Sequence, residues 1–158
     1  SGHSYGSTTA GKAMTQVAEG TVDNFIMCGS PGAGAESIDQ YNVPKGHVYE
    51  SSVPEGDAVQ GLGPDDTYGT NPKKLSGITH LSGDTTEAKG YWTFADSLER
   101  TKGIEPYLDI DVALNTFSNH MSYFDKDTRA FQDFANIIGG GKQTTDEEWS
   151  AIETERGK

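Results

Sequence analysis

Cysteine is nearly absent: Cys28 is the only one in 158 residues. A single thiol excludes an internal disulfide and a zinc site of clustered cysteines, and it leaves the redox compartment open. Basic residues are scarce, 12 against 24 acidic, for a formal net charge of −12. Such a chain has little with which to neutralise phosphates, which argues against nucleic acid. It is equally ill suited to an anionic membrane surface. No apolar run approaches the ~20 residues needed to span a bilayer. Hydrophobic residues are only 33%, whereas glycine reaches 20 residues. Clear apolar runs remain, so composition and length indicate one loop-rich globular unit rather than disorder.

What the chain does have comes at its start. Gly2-His3-Ser4-Tyr5-Gly6 has the spacing G-x-S-x-G and runs into the small residues Ser7-Thr8-Thr9-Ala10-Gly11. In a nucleophile elbow, the serine sits on a strained strand-to-helix turn. The flanking glycines are expected where any side chain would collide with the neighbouring strand or helix. The first backbone N–H of the helix then faces the site of a developing oxyanion. A plain Gly/Ser turn fits the same five residues, so the elbow gains weight only from residues further along the chain.

Downstream, residues 7–19 read as a helix, with Ala10, Ala13, Met14, Val17 and Ala18 on one apolar face and Gly20 as its stop. Residues 24–28 read as a buried parallel strand ending in Gly29-Ser30-Pro31-Gly32. Residues 33–46 are loop-like. Residues 47–53 read as the next strand, broken at Pro54-Glu55-Gly56-Asp57. That puts Asp57 just past a strand end, where open α/β sheets carry functional groups. Residues 60–77 look irregular, and 78–81 make a last short strand. A short helix is expected from Tyr91 to Arg100, and a loop holding His120. A helix over 127–138 is capped by Asp127, with Ala130, Phe131, Phe134, Ala135 and Ile138 inward. Gly139-Gly140-Gly141 ends it. The acidic stretch 142–158 is an exposed helix from Asp146 to Arg156, or disordered. Alternation of strands and helices predicts an α/β fold with a mostly parallel sheet.

A serine hydroxyl needs a base to become a nucleophile, and the base needs a carboxylate to fix its tautomer. The chain offers Ser4, Asp57 and His120 in that order, the order expected when the serine sits on an elbow. His80, at a strand end, is the rival base. His47 reads as a surface residue at a strand start, and His3 as the variable position of the elbow. Asp65, Asp66 and Asp84 are rivals to Asp57. Gly6-Ser7-Thr8-Thr9-Ala10-Gly11-Lys12 fits G-x-x-x-x-G-K, but Ala13 stands where a phosphate loop needs Ser or Thr for magnesium.

These residues also look familiar as a succession. Gly2-His3-Ser4-Tyr5-Gly6-Ser7-Thr8, Gly29-Ser30-Pro31-Gly32, Val48-Tyr49 leading to Gly56-Asp57, Tyr68-Gly69-Thr70-Asn71-Pro72 and His120-Met121-Ser122-Tyr123-Phe124 resemble an α/β-hydrolase family of unknown function, found mainly in actinobacteria. The resemblance spans about residues 1–141 and leaves 142–158 as a tail. It implies Ser4 as nucleophile, Asp57 as carboxylate and His120 as base. It also implies the Tyr5 N–H as half of the oxyanion hole, the other half coming from a loop upstream of the elbow. Some members look linked to helical modules of the secreted WxG type, which makes export one expected destination.

The elbow lacks a leading strand in this sequence. The chain is therefore expected to be the C-terminal part of an α/β-hydrolase, completed by an upstream half of the same protein or by a cleaved partner chain. Any targeting signal would lie there, so cytoplasmic and secreted locations both stay open. The stretch 83–119 is longer than a plain hydrolase loop. Its Tyr91, Trp92 and Phe94 either cap an acyl pocket or pack on the sheet as an insertion. The expected activity is hydrolysis of a carboxylic ester or related acyl compound, small or lipid, with no metal or organic cofactor. A non-catalytic binding or secreted effector module and an acyltransferase with the same triad are the alternatives.

Overall fold

The apolar run Phe25–Cys28 is a strand buried along its whole length. It is β2 of a four-stranded sheet in the computed structural model, which describes residues 1–54, 56–85 and 110–156. The others are β1 (Gly2–His3), β3 (Val48–Ser51) and β4 (Thr79–His80). They lie in the order β1-β2-β3-β4, and every pair is parallel. Sequence reading finds no strand ahead of Ser4, and the structure corrects this. Gly2 and His3 pair with Met27 and Cys28, a strand too short to register as a hydrophobic run.

Alternation along β2 divides the core. Phe25 and Met27 join Ala33, Tyr41, Val48, Leu75 and Ile78 on one face. Ile26 and Cys28 join Val53, Leu81, Tyr123, Ala130, Phe134 and Ile137 on the other, as the two-residue period of a strand requires. Helix α1 (Tyr5–Met14) contributes Ala10 and Met14 to the first face. The segments linking consecutive strands pack there too, with Ala35, Ile38 and Tyr41 between β2 and β3 and Leu75 and Ile78 between β3 and β4. Between β3 and β4 stands the single turn α2 (Asp65–Tyr68). Helices α3 (Ile110–Met121) and α4 (Arg129–Ile138) follow. The 3₁₀ turn Ser122–Phe124, which directly continues α3, and α4 pack on the second face.

The buried side of α1 differs from the expected one. It consists of Ser7, Thr8 and Gly11, while Ala13 and Ala18 are exposed. The helix approaches the chain after β2 so closely that small and hydroxyl residues make the contact. Thr8 donates to the Gly32 carbonyl at 2.6 Å, and a Cβ on Gly11 would stand 1.9 Å from the Ala33 carbonyl oxygen. Apolar periodicity is blind to such a face. For the same reason Gly6–Lys12 is helix rather than phosphate loop, and Lys12 donates to the Thr67 carbonyl.

Helix α4 starts two residues later than expected. Its N-cap is Thr128, whose hydroxyl accepts from the Phe131 N–H, rather than Asp127. Its inner face is Ala130, Asp133, Phe134 and Ile137, and Ile138 is exposed. The rotation follows from Asp133. This fully buried carboxylate accepts from the Ser82 hydroxyl at 2.9 Å and from the Thr144 N–H at 2.7 Å, tying two loops to the helix. The acidic tail is the helix α5 (Asp146–Glu155). Thr145 and Glu148 close a capping box at its start, and Trp149 is buried. Arg129 pairs with Asp146 at 2.7 Å. Among the described residues, no helix is long and apolar enough to cross a membrane.

The two glycines of α1 predict opposite effects. Gly11→Ala forces a backbone collision and should lower unfolding free energy by about 2 kcal/mol or more. Nothing lies within 4 Å of a Cβ on Gly6, so Gly6→Ala should raise stability by roughly 0.5–1 kcal/mol. Urea unfolding of the two variants beside the parent measures both.

Candidate active site

Ser4 joins β1 to α1 with φ 55° and ψ −140°. It is the only non-glycine residue at positive φ among the described residues. A side chain held there costs on the order of 1–3 kcal/mol, and such strain concentrates at functional turns. Three contacts impose it. The Ser4 N–H donates to the Cys28 carbonyl at 3.0 Å, and the Ser4 carbonyl accepts from the Ser7 N–H at 3.0 Å and from the Ser7 hydroxyl at 2.5 Å. Of the flanking glycines, only Gly2 is sterically required: a Cβ there would lie 2.6 Å from the Ser7 Cα, whereas Gly6 faces open space. The Tyr5 N–H is the first of α1, one of the helix-end donors that have no carbonyl a turn behind them.

The loop after β3 presents Asp57, buried at its bottom. Its Oδ1 accepts from the Val59 N–H at 2.7 Å and the Gln60 N–H at 3.0 Å, a turn closed on its own side chain. The same oxygen lies 2.8 Å from His120 Nδ1. Oδ2 accepts from the Tyr123 hydroxyl at 2.8 Å, and that hydroxyl in turn accepts from the Val53 N–H at 2.9 Å. Burial alone would raise the Asp57 carboxyl. The bonds from His120, Val59 and Tyr123, with the His120 charge, outweigh it and hold the group below its ordinary value. Burial and the adjacent Asp57 charge push the Tyr123 hydroxyl up, so it stays protonated and donates.

His120 is not in a loop, as sequence reading expects, but in the last turn of α3. The C-terminal half of the helix is tied to the Asp57 loop. The Ala58 N–H donates to the Thr116 carbonyl, and the Asn119 amide donates to the Gly56 carbonyl at 3.0 Å. Tyr123, three residues beyond His120, sits on the same side of the chain and clamps the far carboxylate oxygen. Along the chain, Tyr123 carries no signal of this role. The three-residue spacing becomes one only once a helix is known to end there.

Gly29, at the end of β2, is what lets these groups meet. It has φ 53°, and a Cβ on it would lie 2.7 Å from Asp57 Oδ2, 2.9 Å from His120 Nδ1 and 2.9 Å from the Tyr123 ring. Gly29 is also bonded to Cys28, whose carbonyl holds the Ser4 N–H. The serine turn and the Asp–His pair therefore converge on one peptide. Beside it, burial pushes the Cys28 thiol up to about 12, which leaves it an inert packing group.

The structure brings Asp57 and His120 together and sets Ser4 next to them. Among the described residues the Ser4 hydroxyl makes no hydrogen bond, and catalytic contacts are often long before substrate binds. Tyr91, Trp92 and Phe94 lie outside the described residues. The rival base His80 contacts a different carboxylate, Glu50 of β3, at 2.6 Å, with the Ser52 hydroxyl donating to the other Glu50 oxygen. The His80 side chain is 56% exposed and that of His120 4%. No group of three or more His, Cys, Asp and Glu residues is placed to hold a metal ion, among the described residues.

A parallel sheet flanked by helices is an α/β architecture, and its first strand-to-helix turn carries the strained serine. The model of a family described as Alpha/beta hydrolase matches residues 1–65 of the chain. The match takes in Ser4 and Asp57 and ends before His120. No curated protein and no solved structure matches the chain.

The packing of the site makes the effect of two substitutions predictable. Gly29→Ala should separate His120 from Asp57 and lower stability by about 1–3 kcal/mol, read as a lower urea midpoint together with loss of the downfield His120 Nδ1 proton resonance. The second substitution concerns acid. The Asp57 carboxyl titrates lower folded than unfolded, so its contribution is fully present above the unfolded value of about 3.9. It is lost as pH falls through the lower, folded value. Asp57→Asn should accordingly flatten the decline in unfolding free energy below pH ~4, in urea titrations run from pH 7 downward.

Proposed function

We propose that this chain carries the reaction centre of a serine hydrolase acting on a carboxylic ester or related acyl compound. The observation that carries the reading is the strained Ser4 turn, anchored on the Cys28 carbonyl next to the buried His120–Asp57 pair at 2.8 Å. Ser4 attacks the acyl carbon, and His120 takes its proton and returns it to the leaving oxygen. Asp57 fixes the tautomer of His120 through Nδ1, which leaves Nε2 as the proton acceptor. Water then adds to the acyl-enzyme and is deprotonated by the same imidazole. The Tyr5 N–H meets the tetrahedral oxyanion. The second oxyanion donor comes, on the resemblance, from a loop upstream of the elbow, on the same protein or on a partner chain.

Exposed apolar side chains on the elements of the site favour an apolar acyl group. Tyr5 follows Ser4, Phe117 and Met121 stand on α3 beside His120, and Phe124 packs edge-on to His3. An acyltransferase would use the same groups with an acceptor other than water. The Ser4 hydroxyl, without a hydrogen bond among the described residues, favours a second reading, a binding module on a hydrolase scaffold.

Fluorophosphonate labelling with peptide mapping separates these. The expected result is modification of Ser4, none in Ser4→Ala, and a rate roughly 10³-fold or more lower in His120→Ala. His80→Ala should label within about twofold of the parent, since His80 serves Glu50. A parent protein that is folded and unlabelled would support the binding module.

A further inference from the structure

The side chain next to the elbow serine points back at the base. His3 Nε2 lies 2.7 Å from the His120 carbonyl oxygen. Its ring stands 4.6 Å from the His120 ring, tilted by 30°. It is closed in by Tyr123 at 5.7 Å and by Phe124, edge-on, at 5.6 Å. A carbonyl oxygen accepts only, so Nε2 carries the proton of this contact. Burial lowers the His3 imidazole, and the nearby His120 adds to this, while the bond to the carbonyl opposes both.

His3 is covalently the neighbour of Ser4 and non-covalently the anchor of His120. Its backbone belongs to β1, locked to Cys28 by strand pairing. Its imidazole holds the end of α3 at the residue that bears the base. The bond joins chain positions 117 residues apart, and it links the serine turn directly to the helix that carries the imidazole. From this geometry we infer that His3 is a positioning residue: it sets the placement of the His120 imidazole relative to Ser4 by a hydrogen bond donated to the His120 carbonyl. The inference builds on the proposed hydrolase reading, but the contact can be tested without it.

Three variants separate the two contacts. His3→Gln keeps a donor at the reach of Nε2 and loses the ring. His3→Phe keeps the ring and loses the donor, and His3→Ala loses both. The first readout is the His120 Nδ1 proton shared with Asp57, followed by NMR, which needs no turnover. The resonance should shift or broaden in His3→Ala and His3→Phe and return near its parent position in His3→Gln. The second is the rate of fluorophosphonate attack on Ser4. A misplaced base should slow it on the order of ten- to a hundredfold in His3→Ala, with His3→Gln restored to within about threefold. An unchanged resonance in His3→Ala overturns the inference, whether or not Ser4 reacts. Equal losses in His3→Gln and His3→Ala overturn it as well, since the donor would then do nothing. A parent protein with the expected NMR pattern but no labelled Ser4 would leave the positioning contact standing and sink the hydrolase reading alone.

Discussion

Everything near the site depends on one close approach, that of Asp57, His120 and Tyr123 to the Cα of Gly29. A buried carboxylate is costly unless its lone pairs are met. Here the two oxygens take two backbone N–H groups, an imidazole and a phenol. Assembling those donors requires the ends of β2 and β3, the loop after β3 and the end of α3 to share a few ångströms. Any side chain at position 29 would hold them apart.

The rest of the molecule supports that meeting. The sheet puts Ser4, Gly29 and the Asp57 loop at the same edge, because parallel strands end together. One face of the sheet is closed by α1 and the crossover segments, and the other by α4 and the turn that continues α3. Asp133 holds α4 by its polar end, while Phe134 and Ile137 hold it by packing. The end of α3 brings His120 to the strand ends, and the turn after it delivers Tyr123 to the second face.

The two His–carboxylate pairs show how environment separates look-alikes. Glu50–His80 and Asp57–His120 have nearly the same contact distance. His80 is open to solvent at the end of the last strand, and its partner belongs to the sheet interior. His120 is enclosed and shares its surroundings with the strained serine. Along the chain both histidines follow Asp57, so the order Ser, Asp, His fits either, and only the polar neighbours Asn119 and Ser122 and the helix that follows favour His120.

The strand at 24–28, the parallel alternation and helices at 7–19 and 127–138 were legible in the residues alone, because continuous or periodic apolar positions are local signals. The structure moves the first helix to Tyr5–Met14 and the second to Arg129–Ile138, and makes the tail, open between helix and disorder along the chain, the helix Asp146–Glu155. Ser4, Asp57 and His120 were legible as candidates too, since G-x-S-x-G and residue order are written along the chain. Which carboxylate meets which imidazole was settled by the packing in three dimensions. That depends on how Gly29, Tyr123 and the loop after β3 stack in space. The burial of Ser7, Thr8 and Gly11 by α1 likewise needed the folded structure, because close packing selects small residues that hydrophobicity does not score. His3, read along the chain as the elbow's variable position, gained its contact with His120 in the same way. Its partner is distant in sequence, and no local pattern encodes a contact of that range.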